Sequence, residues 1–234
     1  MPKYLLLFEK AESVRWLGHL DLLRAFERAI RRAGLPIAFS NGFNPRERLV
    51  FASALSTGIT GKAEPVTLEL TEPLEAEQIL LRLNAALPSG IRIQHGEPLP
   101  EAGVRDLLNG YDRAEYEAVC ACSPETTEEA AQSAIGALLA RPRICLVRVK
   151  EGRTKEVDIR PFLVALALCP ETLGNARLTL RMIVALGEAG NAKPVEVVAA
   201  LSEHLPDLKV RRVQRVRLLQ SRAGAIAPEP STHR

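Results

Sequence analysis

The sequence predicts an α+β protein made of two tandem ferredoxin-like (βαββαβ) sandwiches, residues 1–98 and 110–219, with a disordered tail over 220–234. Three observations lead there. The length of 234 residues suits two units of about 100 residues each. Apolar patterns of helix period and of strand period alternate in the same order in both halves, as expected for sheets covered by helices on one face. Apolar residues make up 47% of the chain and aromatics only 4%, so the cores must be built from Leu, Val, Ile and Ala.

In the first half, Tyr4 to Phe8 reads as a strand, and Leu17 to Ala33 as an amphipathic helix with Leu20, Leu23, Phe26, Ile30 and Ala33 at three- and four-residue steps. Gly34 and Pro36 end that helix. Short strands are predicted at Ile37–Ser40 and Leu49–Ala54, separated by the turn-rich segment Ser40-Asn41-Gly42-Phe43-Asn44-Pro45. Val66 to Leu70 alternates as a strand, Glu75 to Leu87 is helical, and Ile91 to Gln94 returns as a strand.

In the second half, Tyr111 to Cys122 is a strand, and Ser123-Pro124-Glu125 opens a helix running to Ala140. Ile144–Lys150 and Thr154–Ile159 flank Glu151-Gly152-Arg153 as a hairpin. A half-buried strand over 176–186, a helix over 194–204 and a last strand over 208–219 complete the rhythm.

The longest apolar run, Phe162 to Cys169, is far shorter than the roughly 20 residues of a membrane-spanning helix. The start, MPKYLLLFEK, is not followed by the small-residue cleavage site of a secretion signal. A cytoplasmic protein with no membrane role is therefore expected. Cys120, Cys122, Cys145 and Cys169 make neither a disulfide framework nor two paired metal-binding motifs, so no metal and no cofactor are expected.

Charge is unevenly placed. Residues 1–62 carry ten Lys/Arg against five Asp/Glu, residues 63–140 four against fourteen, and residues 141–234 seventeen against nine. That asymmetry points to a basic surface for a polyanion and an acidic one elsewhere. Arg24, Arg28 and Arg31 fall on one stripe of the first helix, while Lys209, Arg211, Arg215 and Arg217 share one face of the last strand. Arg177 and Arg181 supply a third element, and the planar guanidinium fork suits phosphate. Arg15, Arg46 and Arg48 extend the candidate RNA-binding set. The loop residues Asn41, Gly42, Phe43 and Asn44 could turn backbone N–H groups toward an anion. His19 is the one candidate general acid or base, but Asp21, two residues on, does not share its helix face. Asp158 and Arg160 read as a structural clamp or a site at a strand end.

Three segments carry a resemblance: Arg15-Trp16-Leu17-Gly18-His19-Leu20-Asp21, then Glu27 to Pro36, then Ser40 to Pro45, joined in the second half by Lys155 to Pro161 and Lys193-Pro194-Val195-Glu196. Over about residues 3–219 the chain resembles the radical-SAM-linked protein family, a domain found alone or fused behind radical SAM proteins. The resemblance implies an RNA or translation context and a radical SAM protein as partner; it assigns no reaction. Where that family continues its Asn-Pro step with His-Pro-Lys, this chain has Arg46-Glu47-Arg48, so no role of that histidine carries over. The reading taken forward is a non-catalytic RNA-binding accessory protein. The alternatives are a metal-independent endoribonuclease using His19, or a protein–protein adaptor docking through the acidic segment.

Overall fold

The computed structural model describes residues 1–100, 104–150, 152–169, 174–187 and 190–221. The first part of the chain forms β1 (Lys3–Lys10), α1 (His19–Arg32), β2 (Leu49–Phe51), β3 (Ile59–Glu69), α2 (Ala76–Ala86) and β4 (Ile91–Leu99). A short helix α3 (Val104–Asn109) leads to β5 (Arg113–Ala121) and α4 (Glu128–Ala140). Then come β6 (Cys145–Lys150), β7 (Arg153–Asp158), β8 (Leu163–Leu168), β9 (Arg177–Ala185), α5 (Pro194–Leu201) and β10 (Lys209–Leu219). The protein is a mixed α+β fold dominated by one large, mostly antiparallel sheet.

Several elements follow from local chemistry. The stripe that α1 buries is Leu22, Ala25, Phe26, Ala29 and Ile30, one step round from the predicted one, and Leu20 is exposed. Gly34 leaves that helix at φ 60°, a conformation that costs glycine little. The cap of α4 is not Ser123, which closes a turn with Thr126. Thr127 Oγ accepts from the Ala130 N–H at 3.2 Å, so the helix starts four residues later than Pro124 suggested. The predicted strand at 37–40 is reduced to isolated bridges, Ile37 to Leu70 and Phe39 to Glu47. Conversely, Phe162 to Cys169, read only as an apolar run, contains the strand β8. Among the described residues no helix is long and apolar enough to cross a membrane.

The two tandem sandwiches expected from the sequence are not separate sheets. The hydrogen-bonded order is β4-β1-β3-β10-β5-β9-β8, so a single sheet runs through both halves. The join is a parallel pairing of β10 with β3: Val213 opposite Ile59, Gln214 opposite Thr60, Arg215 opposite Gly61. The physical reason lies in β3. It begins at Ile59, seven residues before the clean alternation, through Thr60-Gly61-Lys62-Ala63-Glu64-Pro65, a stretch without strand-like patterning. The short β2 covers only Val66 to Leu68 of its edge. The uncovered edge presents unpaired backbone N–H and C=O groups, and β10 satisfies them.

Under this one sheet lie two apolar cores. One joins β1 and β3 to α1 and α2 through Leu6, Phe8, Phe26, Ile30 and Leu83. The other joins β5, β9 and β10 to α4 and α5 through Ala118, Leu138, Leu180, Val197 and Val213. Cys120 is inside the second core, where burial, reinforced by neighbouring Cys122, pushes its thiol up to about 12. Native protein is expected to leave Cys120 unmodified by iodoacetamide at about pH 8, because the thiolate is the reactive form. Peptide mass spectrometry checks this; rapid alkylation would mean that the core opens readily. The segment expected to be a disordered tail begins with Gln220 and Ser221, which are hydrogen-bonded to Leu107 and Asp112. The rest of that segment lies outside the described residues.

Candidate nucleic-acid interface

The predicted arginine face of the last strand does not form as expected. Register shifts between Val210 and Arg212 and between Arg215 and Arg217 mark two bulges in β10. Each bulge adds a residue and upsets strict alternation, so Val213, Arg215 and Leu218 point inward. Arg215 is fully buried. Its Nε donates to Glu64 Oε1 at 2.8 Å and its second terminal nitrogen to Glu64 Oε2. It also donates to the carbonyls of Ser53 (3.2 Å) and Ala54 (3.3 Å), holding the β2–β3 loop. Burial alone would ease its proton off, but the Glu64 carboxylate overrides that and raises its pKa. Arg215 is therefore no phosphate ligand.

Two other predicted cations are also neutralised within the protein. Arg217 Nε donates to Glu115 at 2.7 Å, and Arg181 pairs with both Glu115 and Glu117. The carboxylates Glu64, Glu69, Glu115 and Glu117 of the acidic segment are thus engaged internally, Glu69 by Arg48 at 3.2 Å. Arg177 is exposed at the start of β9. On α1, Arg24 is 3.9 Å from Asp21, Arg31 is 3.2 Å from Glu47, and Arg28 is exposed.

The loop holding Asn41, Gly42, Phe43 and Asn44 is exposed and closes on itself: Ser40 and Arg46 exchange backbone and side-chain hydrogen bonds of 2.8 and 3.0 Å. His19 packs edge-on against Phe51, ring centroids 5.5 Å apart, on the aromatic cluster of Phe8 and Phe26. Asp158 accepts from the Ile144 and Arg160 N–H groups, which holds its carboxyl below the usual range. Arg160 donates instead to the carbonyls of Leu139 and Leu163. These two residues tie the β6–β7 hairpin to α4 and β8.

What the sequence reading missed is a charge cluster on the seam between the halves. Lys10 ends β1 wholly buried and donates to the carbonyls of Arg15 (2.9 Å) and Leu17 (2.8 Å). Burial lowers its pKa, Glu64 opposes that, and Arg215 adds to it. Both Lys10 and Arg215 lie opposite Gly61 in their ladders. A Cβ at Gly61 would meet Glu64 Cγ at 2.5 Å, so only glycine leaves room for this carboxylate between two cations. Gly61→Ala is expected to destabilise by about 1–3 kcal/mol, the usual scale of overpacking at a buried site. Urea denaturation measures it, and an unchanged midpoint would show that Glu64 can move aside.

Directly over this seam opens a cleft of about 670 Å³. Ser53, Thr57 and Gly58 of the β2–β3 loop form one wall, and α5 with β10 forms the other. Tyr116 and Arg215 lie at its floor, where burial raises the Tyr116 pKa against the opposing pull of Arg215. Lys193, Arg211 and Arg212 face it, and none of the described residues lining it is acidic. The nearby Glu196 is held by Arg148 at 2.7 Å and by the Lys193 N–H at 2.9 Å. Of the predicted cations, Arg211 lines the cleft with an exposed side chain and Arg215 lies buried at its floor. Arg212 lies outside the predicted set, as does Lys193, which belongs only to a resembling motif.

Residues 3–194 match DUF2344, a family described as uncharacterized proteins conserved in bacteria. The chain belongs to that family. No curated protein matches it. Among solved structures it is similar to a chain of a Cbf5–Nop10–Gar1 complex, with TM-score 0.55, 10% identity, and coverage of 92% of this chain and 48% of that one. It is also similar to a chain of an H/ACA RNP bound to a substrate RNA containing 2'-deoxyuridine (TM-score 0.51, 11% identity, 92% and 47% coverage). A chain of the archaeal box H/ACA sRNP Nop10–Cbf5 complex follows (TM-score 0.50, 11% identity, 92% and 47% coverage). At such identities the likeness is one of fold, and this member of the DUF2344 family spans about half the length of the chains it matches.

Proposed function

We propose that this protein is a non-catalytic RNA-binding accessory factor of RNA maturation or translation, acting in the cytoplasm, and that the seam cleft receives the RNA. The observation that carries the reading is the cleft itself: Arg211, Arg212 and Lys193 converge on it without an acidic residue among its described lining. Arginine forks and a lysine amine bordering one open cleft suit phosphate oxygens. Two of the structures sharing the fold are chains of ribonucleoproteins, which supports RNA over other polyanions. In this reading each half is a ferredoxin-like unit, supported by the strand orders β4-β1-β3-β2 and β10-β5-β9-β8, with the β6–β7 hairpin as an insertion. The radical SAM protein as partner rests on the sequence resemblance alone.

The test is fluorescence anisotropy of a labelled RNA against purified protein, repeated across salt concentrations. Binding at about 50 mM salt that weakens steeply toward about 200 mM is expected, because phosphate contacts release counterions. Absence of binding at the low-salt end removes the reading.

A further inference from the structure

We propose that the cleft is built for an unpaired stretch of RNA, one base of which stacks on Trp16 at the rim while its phosphates reach Arg211 and Arg212. This rests on the RNA-binding reading above. Trp16 is the single tryptophan of the chain and is 67% exposed. Tryptophan is enriched at contact surfaces, where its large ring joins apolar area to a polar edge.

Its position is built, not incidental. The carbonyls on either side of it, of Arg15 and Leu17, both accept from the buried Lys10 amine. The Gly58 N–H donates to the same Arg15 carbonyl at 2.8 Å. Gly58 lines the cleft, and a Cβ there would lie 3.2 Å from Trp16 Cζ3. With φ at 85°, Gly58 is both the backbone conformation and the space that let the indole lie against the cleft wall. The Arg15 guanidinium, itself paired with Glu12, lies over the indole 4.8 Å from its centroid, a cation–π contact that helps to hold the ring in place.

An aromatic platform next to a groove of cations is the arrangement by which proteins hold single strands: bases stack on the ring while the backbone follows the charge. Paired bases of a duplex are already stacked on one another and cannot reach such a ring. A cleft of about 670 Å³ is also of the size that encloses a small molecule such as a nucleotide, not a double helix.

Because Trp16 is the only tryptophan, its emission reports this one position. Full-length protein titrated with a short oligouridine is expected to show quenching that saturates together with the anisotropy signal. The same strand annealed to oligoadenylate is expected to quench little. Trp16→Ala should weaken oligouridine binding about 5- to 150-fold, the range of one lost base stack, and Trp16→Phe should restore most of it. Thermal melts of both variants check that they fold. Anisotropy showing tight binding with no change in Trp16 emission, or equal binding of single strand and duplex, overturns the proposal while leaving the RNA-binding reading intact. No binding of either RNA at low salt overturns both.

Discussion

Glu64→Gln is expected to destabilise the protein more than Arg215→Met, although each removes one half of the same buried ion pair. Breaking a buried pair by removing one partner costs about 3–5 kcal/mol, because the other charge is left in a medium that solvates it poorly. Here the cluster holds two cations and one anion. Arg215→Met leaves Glu64 facing Lys10, a balanced pair. Glu64→Gln leaves Lys10 and Arg215 buried together with no counter-charge. For a chain of this length, such losses correspond to a fall in Tm of about 6–20 °C.

The pH dependence separates the two variants further. Lys10 already has a lowered pKa in the folded state, so folding releases proton from it. That penalty is fully present below the lowered value and is relieved as pH rises toward the ordinary lysine value of 10.5. Glu64 is the group that opposes the lowering, and its removal deepens it. The deficit of Glu64→Gln should therefore shrink at alkaline pH, while that of Arg215→Met should grow, because Arg215 adds to the lowering in the native protein. Denaturant melts of the three proteins at neutral and alkaline pH measure this. The reverse order of stabilities would show that the cluster is not the charge triad described.

The double change Arg211→Gln/Arg212→Gln is expected to remove most RNA binding while leaving the melting temperature near that of the native protein. Both side chains are exposed. Three cations at the cleft give a log–log salt slope of about −2.1 for a single strand, hence about a 20-fold loss of affinity between 50 and 200 mM salt. Removing two of the three should bring the slope to about −0.7. The control is Arg181→Gln/Arg217→Gln. Those charges are answered by Glu115 and Glu117, so the expected result is unchanged RNA affinity. Equal losses from the two pairs would move the binding surface to the open sheet face.

Most helices and strands were legible in the sequence because their residues repeat an apolar period that only one secondary structure can bury on one side. Val66 to Leu70 and residues 176 to 186 are examples. Where the signal was absent, the reading missed. Residues 59–65 contain Gly61, Lys62, Glu64 and Pro65, which as a list of residues argue against a strand. They form one because β10 arrives to pair with them. The arginine face on β10 was misjudged for a related reason: alternation set Arg215 beside Arg211 and Arg217, and two bulges leave Arg215 buried while the other two stay exposed.

By itself the sequence determined the α+β class, the aliphatic character of both cores, and the excess of arginine near the C-terminal end. Those are properties of composition and short-range period, and they hold whatever the chain does at long range. Only the tertiary structure decided that the halves share one sheet, that Arg215 is buried against Glu64 while Arg211 and Arg212 face a cleft, and that Trp16 stands at its rim. Glu64 and Arg215 are 151 positions apart. No local period links residues so distant; their pairing follows from the match of an open strand edge with the last strand of the chain, and the charge of the cleft follows from which arginines that match leaves outside.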